Sequence, residues 1–109
     1  MKYTVDASKK RQAGGNMEIV DLFAVEGAAF DLIIAELNGD HGATINHVSE
    51  RVYFILSGKG VAMVDGEKYD VQSNDLVYIK PGQPHSISGE VKYLVITSPP
   101  FNRANETKV

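Results

Sequence analysis

The chain contains no cysteine, which excludes disulfides and thiolate metal centres alike. It has no excess of positive charge: 11 Lys and Arg stand against 14 Asp and Glu, for a net charge of −3. The basic footprint of a nucleic-acid-binding surface is therefore missing. Its apolar runs are far too short to cross a bilayer. No apolar stretch follows Lys9, Lys10 and Arg11 as a secretory leader would require. No segment sustains a helical period of useful length, although Ala24, Ala28 and Ala29 would support one helical turn within Asp21 to Ala29. No repeat or low-complexity tract is present. The expectations that follow are no nucleic acid, no membrane, and a cytoplasmic location, which suits a cysteine-free chain. The sequon Asn105-Glu106-Thr107 is then a chance match in a polar tail.

What the chain does have is β-type sequence in short pieces. With 109 residues it suffices for one domain with a modest core. Candidate strands run from Glu18 to Val25, Phe30 to Leu37, Thr44 to Val48, Val52 to Leu56, Val61 to Val64, Lys68 to Val71, Leu76 to Ile79, His85 to Ile87 and Val91 to Thr97. Turn chemistry separates them: Asn38-Gly39-Asp40, a tight turn at Ser57-Gly58-Lys59-Gly60, the hairpin dipeptide Asp65-Gly66, Asn74-Asp75 and Pro81-Gly82-Gln83-Pro84. Ser98-Pro99-Pro100 ends the last strand, because proline cannot donate to a ladder. Many short strands with frequent turns predict an all-β sandwich or barrel. The expected organisation is a flexible lead-in over residues 1–16, a barrel over 17–101 and a polar tail over 102–109.

The stretch from Gly39 to Gly58, together with Asn74 to His85, carries a spaced pattern. Gly39 is followed after five residues by Ile45, then His47, then Arg51 after three more, then Gly58 after six. Further on, Lys80-Pro81-Gly82-Gln83-Pro84-His85 is followed by Gly89. This arrangement resembles the two motifs of the cupin family, whose first reads glycine, five residues, His-x-His, three or four residues, Glu, six residues, glycine. The second is built on Pro-x-Gly-x-x-His and a later asparagine; here Lys80 replaces the proline and Gly89 the asparagine. The resemblance implies a small jelly-roll barrel, the double-stranded β-helix. It does not by itself imply a function.

In metal-dependent cupins the histidines and glutamate of the first motif, with the histidine of the second, hold one divalent metal. Those positions here are Ile45, His47, Arg51 and His85. Isoleucine has no donor atom, and protonated arginine cannot coordinate. No resident cofactor is therefore expected. If a divalent metal such as iron, manganese, nickel or zinc were bound, His47, His85 and Glu50 would have to hold it. That needs Glu50 to face inward, against the alternation that points Arg51 and Tyr53 inward, unless a bulge decouples the strands. The same positions otherwise make an organic pocket. His47, Arg51, Tyr53 and His85 would bind a compact anion, a carboxylate or a sugar phosphate, because arginine grips such groups through paired hydrogen bonds. Asn46 would join only at a twisted strand end. The plainer account is that Arg51 is a structural ion pair with Glu36 or Glu50 and that Tyr53 is core. Two further functions are compatible with the resemblance. One is a metal-dependent dioxygenase, isomerase or epimerase, with His47, His85 or Tyr53 carrying protons. The other is a non-catalytic regulatory homodimer pairing through Glu18–Val25 or Phe30–Leu37.

Overall fold

The computed structural model describes residues 1–109. Nine strands follow one another: β1 (Arg11–Gln12), β2 (Met17–Phe23), β3 (Asp31–Asp40), β4 (Thr44–Asn46), β5 (Glu50–Val64), β6 (Glu67–Gln72), β7 (Leu76–Ile79), β8 (His85–Ser98) and β9 (Glu106–Lys108), with a single 3-10 turn at Arg103–Asn105. Every pairing is antiparallel. Strand β8 is the spine, paired with β3 along one edge and β5 along the other. β5 carries β7 and β6 on its far side. β2 and β1 extend the sheet beyond β3. β4 joins the start of β8 where Thr44 meets His85, and β9 pairs with β4. The curled sheet makes a single all-β jelly-roll barrel.

The tight turn expected at Ser57–Gly60 does not form. Val52–Leu56 and Val61–Val64 belong to one strand of 15 residues. The glycines serve a close crossing of strands instead. Gly58 has φ 85°, and a Cβ there would strike the carbonyl of Glu90; one on Gly60 would strike that of Ser88. Gly60 faces Gly89 across the ladder, and Gly89 in turn faces Gly39. Two backbones approach there more closely than side chains allow. Gly89 likewise lets His85–Ile87 and Val91–Thr97 run together as β8.

A bulge at Leu56 shifts the register between Ile55/Tyr93 and Ser57/Lys92. One extra residue flips every later side chain to the other face. Before the bulge, odd-numbered Arg51, Tyr53 and Ile55 are buried; after it, even-numbered Ala62 and Val64 are. Strand β8 has no bulge and keeps odd parity throughout, burying His85, Ile87, Val91, Tyr93, Val95 and Thr97. The apolar residues among these, with Val71 of β6, Val77 and Ile79 of β7, Ala35 and Leu37 of β3 and Met17 and Ile19 of β2, form the core. Each large aliphatic side chain among them contributes roughly 1.5–3 kcal/mol by burial.

The outer face is apolar too. The register aligns Val20, Ile34, Leu94, Phe54 and Leu76 in one row, and Leu32, Ile96, Val52 and Tyr78 in the next. Residues 1–16, expected as a flexible lead-in, include β1 on the edge of β2, and Tyr3 packs edge-on against Phe23 at 5.4 Å. Residues 102–109, expected as a polar tail, carry the 3-10 turn and β9. Asp21 to Ala29 contains the end of β2 and a turn, with no helix.

Candidate functional site

Arg51 lies near the start of β5, directly across from Thr97 of β8 and Ile79 of β7. Inward parity buries its guanidinium at the end of the barrel, where only 7% of the residue is exposed. A cation out of water needs partners on every side. Arg51 Nε donates to Thr97 Oγ1 at 3.2 Å, Nη1 to His85 Nε2 at 3.1 Å, and Nη2 to Glu106 Oε1 at 3.3 Å. The Tyr53 side chain also adjoins the guanidinium closely enough to hydrogen-bond with it.

These contacts settle the state of His85. A guanidinium only donates, so His85 Nε2 must be the bare, accepting nitrogen. Nδ1 faces the carbonyl of Gln83 at 3.0 Å and carries the ring proton. The imidazole is therefore neutral. Burial pushes its pKa down, the Gln83 carbonyl opposes this, and the adjacent Arg51 charge lowers it further. Tyr53, next inward on β5, packs on His85 with ring centroids 6.1 Å apart and on Tyr93 at 5.0 Å. Burial raises the pKa of both phenols, so they are neutral donors at ordinary pH.

The first-motif histidine goes elsewhere. His47 is exposed, and its Nε2 sits 2.8 Å from Thr107 Oγ1 on the outer side of β9. Asn46 takes the inward position, with 3% of its surface exposed. The expectation that His47 converges with Arg51 and Tyr53 is corrected here, and the cause is local. Asn46 Oδ1 accepts from the backbone N–H groups of Val48 and Ser49, at 3.0 and 2.6 Å. That turn breaks the strand expected to run to Val48, so parity does not carry from β4 to β5. Glu50 is exposed, as is His41. Neither suggested counterion serves Arg51: Glu36 instead pairs with Lys92 at 3.6 Å.

The residues present do not fit a divalent metal. Ile45 offers no donor, His47 points away, and Arg51 places a fixed cation where the family's carboxylate would stand. The Nε2 lone pair of His85 is directed at that cation. No three His, Asp or Glu side chains converge anywhere in the molecule as a metal site.

The counterion of Arg51 is Glu106, 55 residues away in sequence, on the last strand. Nothing local marks it, for it lies in a short polar segment with no strand-like run. Thr97 was legible: it continues the alternation of Val91, Tyr93 and Val95. Two buried polar atoms of the cluster have no partner, Asn46 Nδ2 and Glu106 Oε2. Asn46 and Glu106 are register partners across β4 and β9, so their side chains share one face. The cluster thus offers a cation, a carboxylate, a neutral imidazole and an amide donor, equipped to grip an oxyanion. Its groups are packed together; an open cleft of about 350 Å³, lined by residues including Asn16, Glu18 and Asn38, lies outside the barrel.

A family described as Cupin domain matches residues 33–97. An uncharacterized protein of Methanocaldococcus jannaschii is 36% identical over 61 residues, covering 52% of this chain and 49% of that protein. One of Streptomyces coelicolor is 35% identical over 57 residues, covering 50% and 54%. The chain thus spans about half the length of each of these relatives. Among solved structures, the nucleoside dehydratase Pac13 superimposes with a TM-score of 0.87 at 19% identity, over 100% of this chain and 92% of that one. A Streptomyces Pac13 variant with uridine gives a TM-score of 0.88 at 19% identity, over 100% and 91%. A predicted oxalate decarboxylase of Thermotoga maritima gives 0.80 at 20% identity, over 88% and 98%. At these identities the likeness is one of fold.

Proposed function

The chain belongs to the cupin domain family, and from its site we infer that it binds a compact anionic small molecule, a carboxylate or a sugar phosphate, through Arg51, Tyr53 and His85. The observation that carries this is the guanidinium of Arg51, buried at the barrel end among His85, Thr97, Tyr53 and a single carboxylate. Arginine's planar fork suits an oxyanion, and low-dielectric surroundings strengthen the grip. Tyr53 and Tyr93 pack behind the charged groups and keep water from them. Asn46 replaces His47 as the polar group from the first motif. The charge is supplied by the protein rather than by a metal. A fold shared with a nucleoside dehydratase solved with uridine, and with a predicted oxalate decarboxylase, supports an organic ligand. The test is melting temperature against organic acids and sugar phosphates, for the wild type and Arg51→Ala. Ligand stabilisation of the wild type and its loss in the variant are expected. Stabilisation that survives undiminished removes Arg51 from the site.

The outer face supports a second copy of this chain as partner. Its two apolar rows end in Leu76 and Tyr78, which are 60% and 48% exposed. Glu36 and Lys92 lie side by side next to these rows. A two-fold axis sets each lysine against the other copy's glutamate and apolar row against apolar row, which makes the face self-complementary.

A further inference from the structure

We propose that Glu106 is a resident, displaceable carboxylate, and that the ligand of this site is a small carboxylate that takes its place between Arg51 and Asn46. This rests on the anion site proposed above and narrows it from anions in general to carboxylates.

Three observations carry it. First, Glu106 already holds a carboxylate against Arg51 Nη2, with 16% of its side chain exposed. The cluster is therefore shaped around a planar carboxylate. Second, the fit is incomplete. Glu106 Oε2 is buried without a donor, and Asn46 Nδ2, on the opposing register position, is buried without an acceptor. Each unmade hydrogen bond in a buried setting leaves a desolvation cost that nothing offsets. The tether of Glu106 to β9 keeps the donor and acceptor apart, whereas a free carboxylate can rotate to meet Arg51 and Asn46 together. Third, the element that carries Glu106 is short and paired along one edge only. Strand β9 has three residues and pairs only with β4. Its flanks add two backbone bonds, from His47 N–H to the Asn105 carbonyl and from Val109 N–H to the Ala43 carbonyl; Thr107 adds two side-chain contacts, its carbonyl accepting from Thr44 Oγ1 at 3.1 Å and its Oγ1 meeting His47 Nε2 at 2.8 Å. Short strands paired along one edge open at lower free energy than the core ladders.

Entry then follows a fixed order. β9 lifts from β4, Glu106 leaves Arg51 for solvent, and the ligand carboxylate occupies the vacated guanidinium face. The wild type binds more weakly than the bare site would, because only the open fraction accepts ligand. Removing the internal competitor raises affinity.

The wild-type chain, Glu106→Ala and Glu106→Gln are titrated with acetate, succinate and inorganic phosphate, with chloride as the ionic-strength control. Binding is followed by calorimetry and folding by melting temperature. Both variants are expected to bind acetate and succinate at least about ten-fold more tightly than the wild type, with phosphate weaker. If Glu106→Ala leaves Arg51 unpaired and unfolds the chain, acetate restores the folded state; failure to restore it overturns the proposal. In the wild type, saturating succinate should speed hydrogen exchange at the His47 and Val109 amides, which report β9 docking. Unchanged exchange overturns the displacement. Arg51-dependent binding in the wild type, with no gain in either variant, overturns the displacement and leaves the anion site standing. A preference for phosphate overturns the carboxylate assignment alone. Binding of no anion by any form removes both.

Discussion

Arg51 Nη1 donates to Nε2 of His85 at 3.1 Å, and this contact forbids protonation of the imidazole while the guanidinium stays in place. A proton on Nε2 would set two donors against each other.

The first prediction concerns pH. The His85 ring titrates near 6.5 when unfolded and lower when folded, because burial and Arg51 disfavour its charge. Between those values the unfolded chain binds more protons, so stability rises with pH there. Stability is full above about pH 6.5 and falls as pH drops through the folded value. Glu106 and the Gln83 carbonyl also face this ring and moderate the effect. Urea unfolding at pH 7.5 and 5.5 should show a loss in the wild type that His85→Gln reduces, since glutamine accepts from Arg51 without titrating. His41, lowered chiefly by the partial desolvation of its otherwise exposed ring and then by Lys108, adds a smaller loss of the same sign. A slope unchanged by His85→Gln would contradict the tautomer assigned here.

The second concerns the ion pair. Removing one partner of a buried pair leaves the other uncompensated, at about 3–5 kcal/mol. Arg51→Ala should approach the lower end of that range, because Glu106 is partly exposed. Arg51→Met combined with Glu106→Leu should recover most of the loss in equilibrium urea unfolding. A double variant no more stable than Arg51→Ala would show that packing, not charge pairing, sets the cost.

The third concerns the crossing of β5 and β8. At Gly58→Ala a methyl group meets the Glu90 carbonyl at φ 85°, whereas at Gly27→Ala the φ is 81° but the space is open. Gly27→Ala should cost about 1 kcal/mol from backbone strain alone. Gly58→Ala should cost more than about 3 kcal/mol or prevent folding, since the backbones must also part. Equal costs at the two sites would remove the close crossing as the reason for Gly58.

The fourth concerns metal. Tag-free protein equilibrated with iron, manganese, nickel or zinc and then desalted should retain no stoichiometric metal by elemental analysis. Retention at one equivalent that is lost in His85→Gln would mean that the cluster rearranges around a metal.

The fifth concerns association. The wild type should sediment as a dimer at micromolar concentration, and Leu76→Lys with Tyr78→Lys should sediment as a monomer of unchanged fold. A monomeric wild type would remove the outer face as a self-association surface.

Much of this barrel is written in short-range pattern. Asp65-Gly66 forms the expected hairpin turn between β5 and β6, with φ of 52° and 83°. Leu76 to Ile79 is a strand with the expected bounds. Alternation through Val52 to Leu56 points Arg51 and Tyr53 inward and leaves Glu50 outside. Glycine was the weak point. Ser57-Gly58-Lys59-Gly60 has turn composition, yet the same residues serve a strand crossing, and only a partner strand at the right distance tells the two apart.

The amino-acid sequence by itself determined the strand rhythm, the motif spacing, and the replacement of a metal-binding carboxylate position by Arg51, because these depend on residues near one another in the chain. The tertiary structure alone decided which group of the first motif enters the site and what neutralises the arginine. Asn46 displaces His47 because a side-chain turn onto Val48 and Ser49 resets the facing between β4 and β5. Glu106 reaches Arg51 because β9 pairs with β4, a contact between distant segments that no local periodicity encodes.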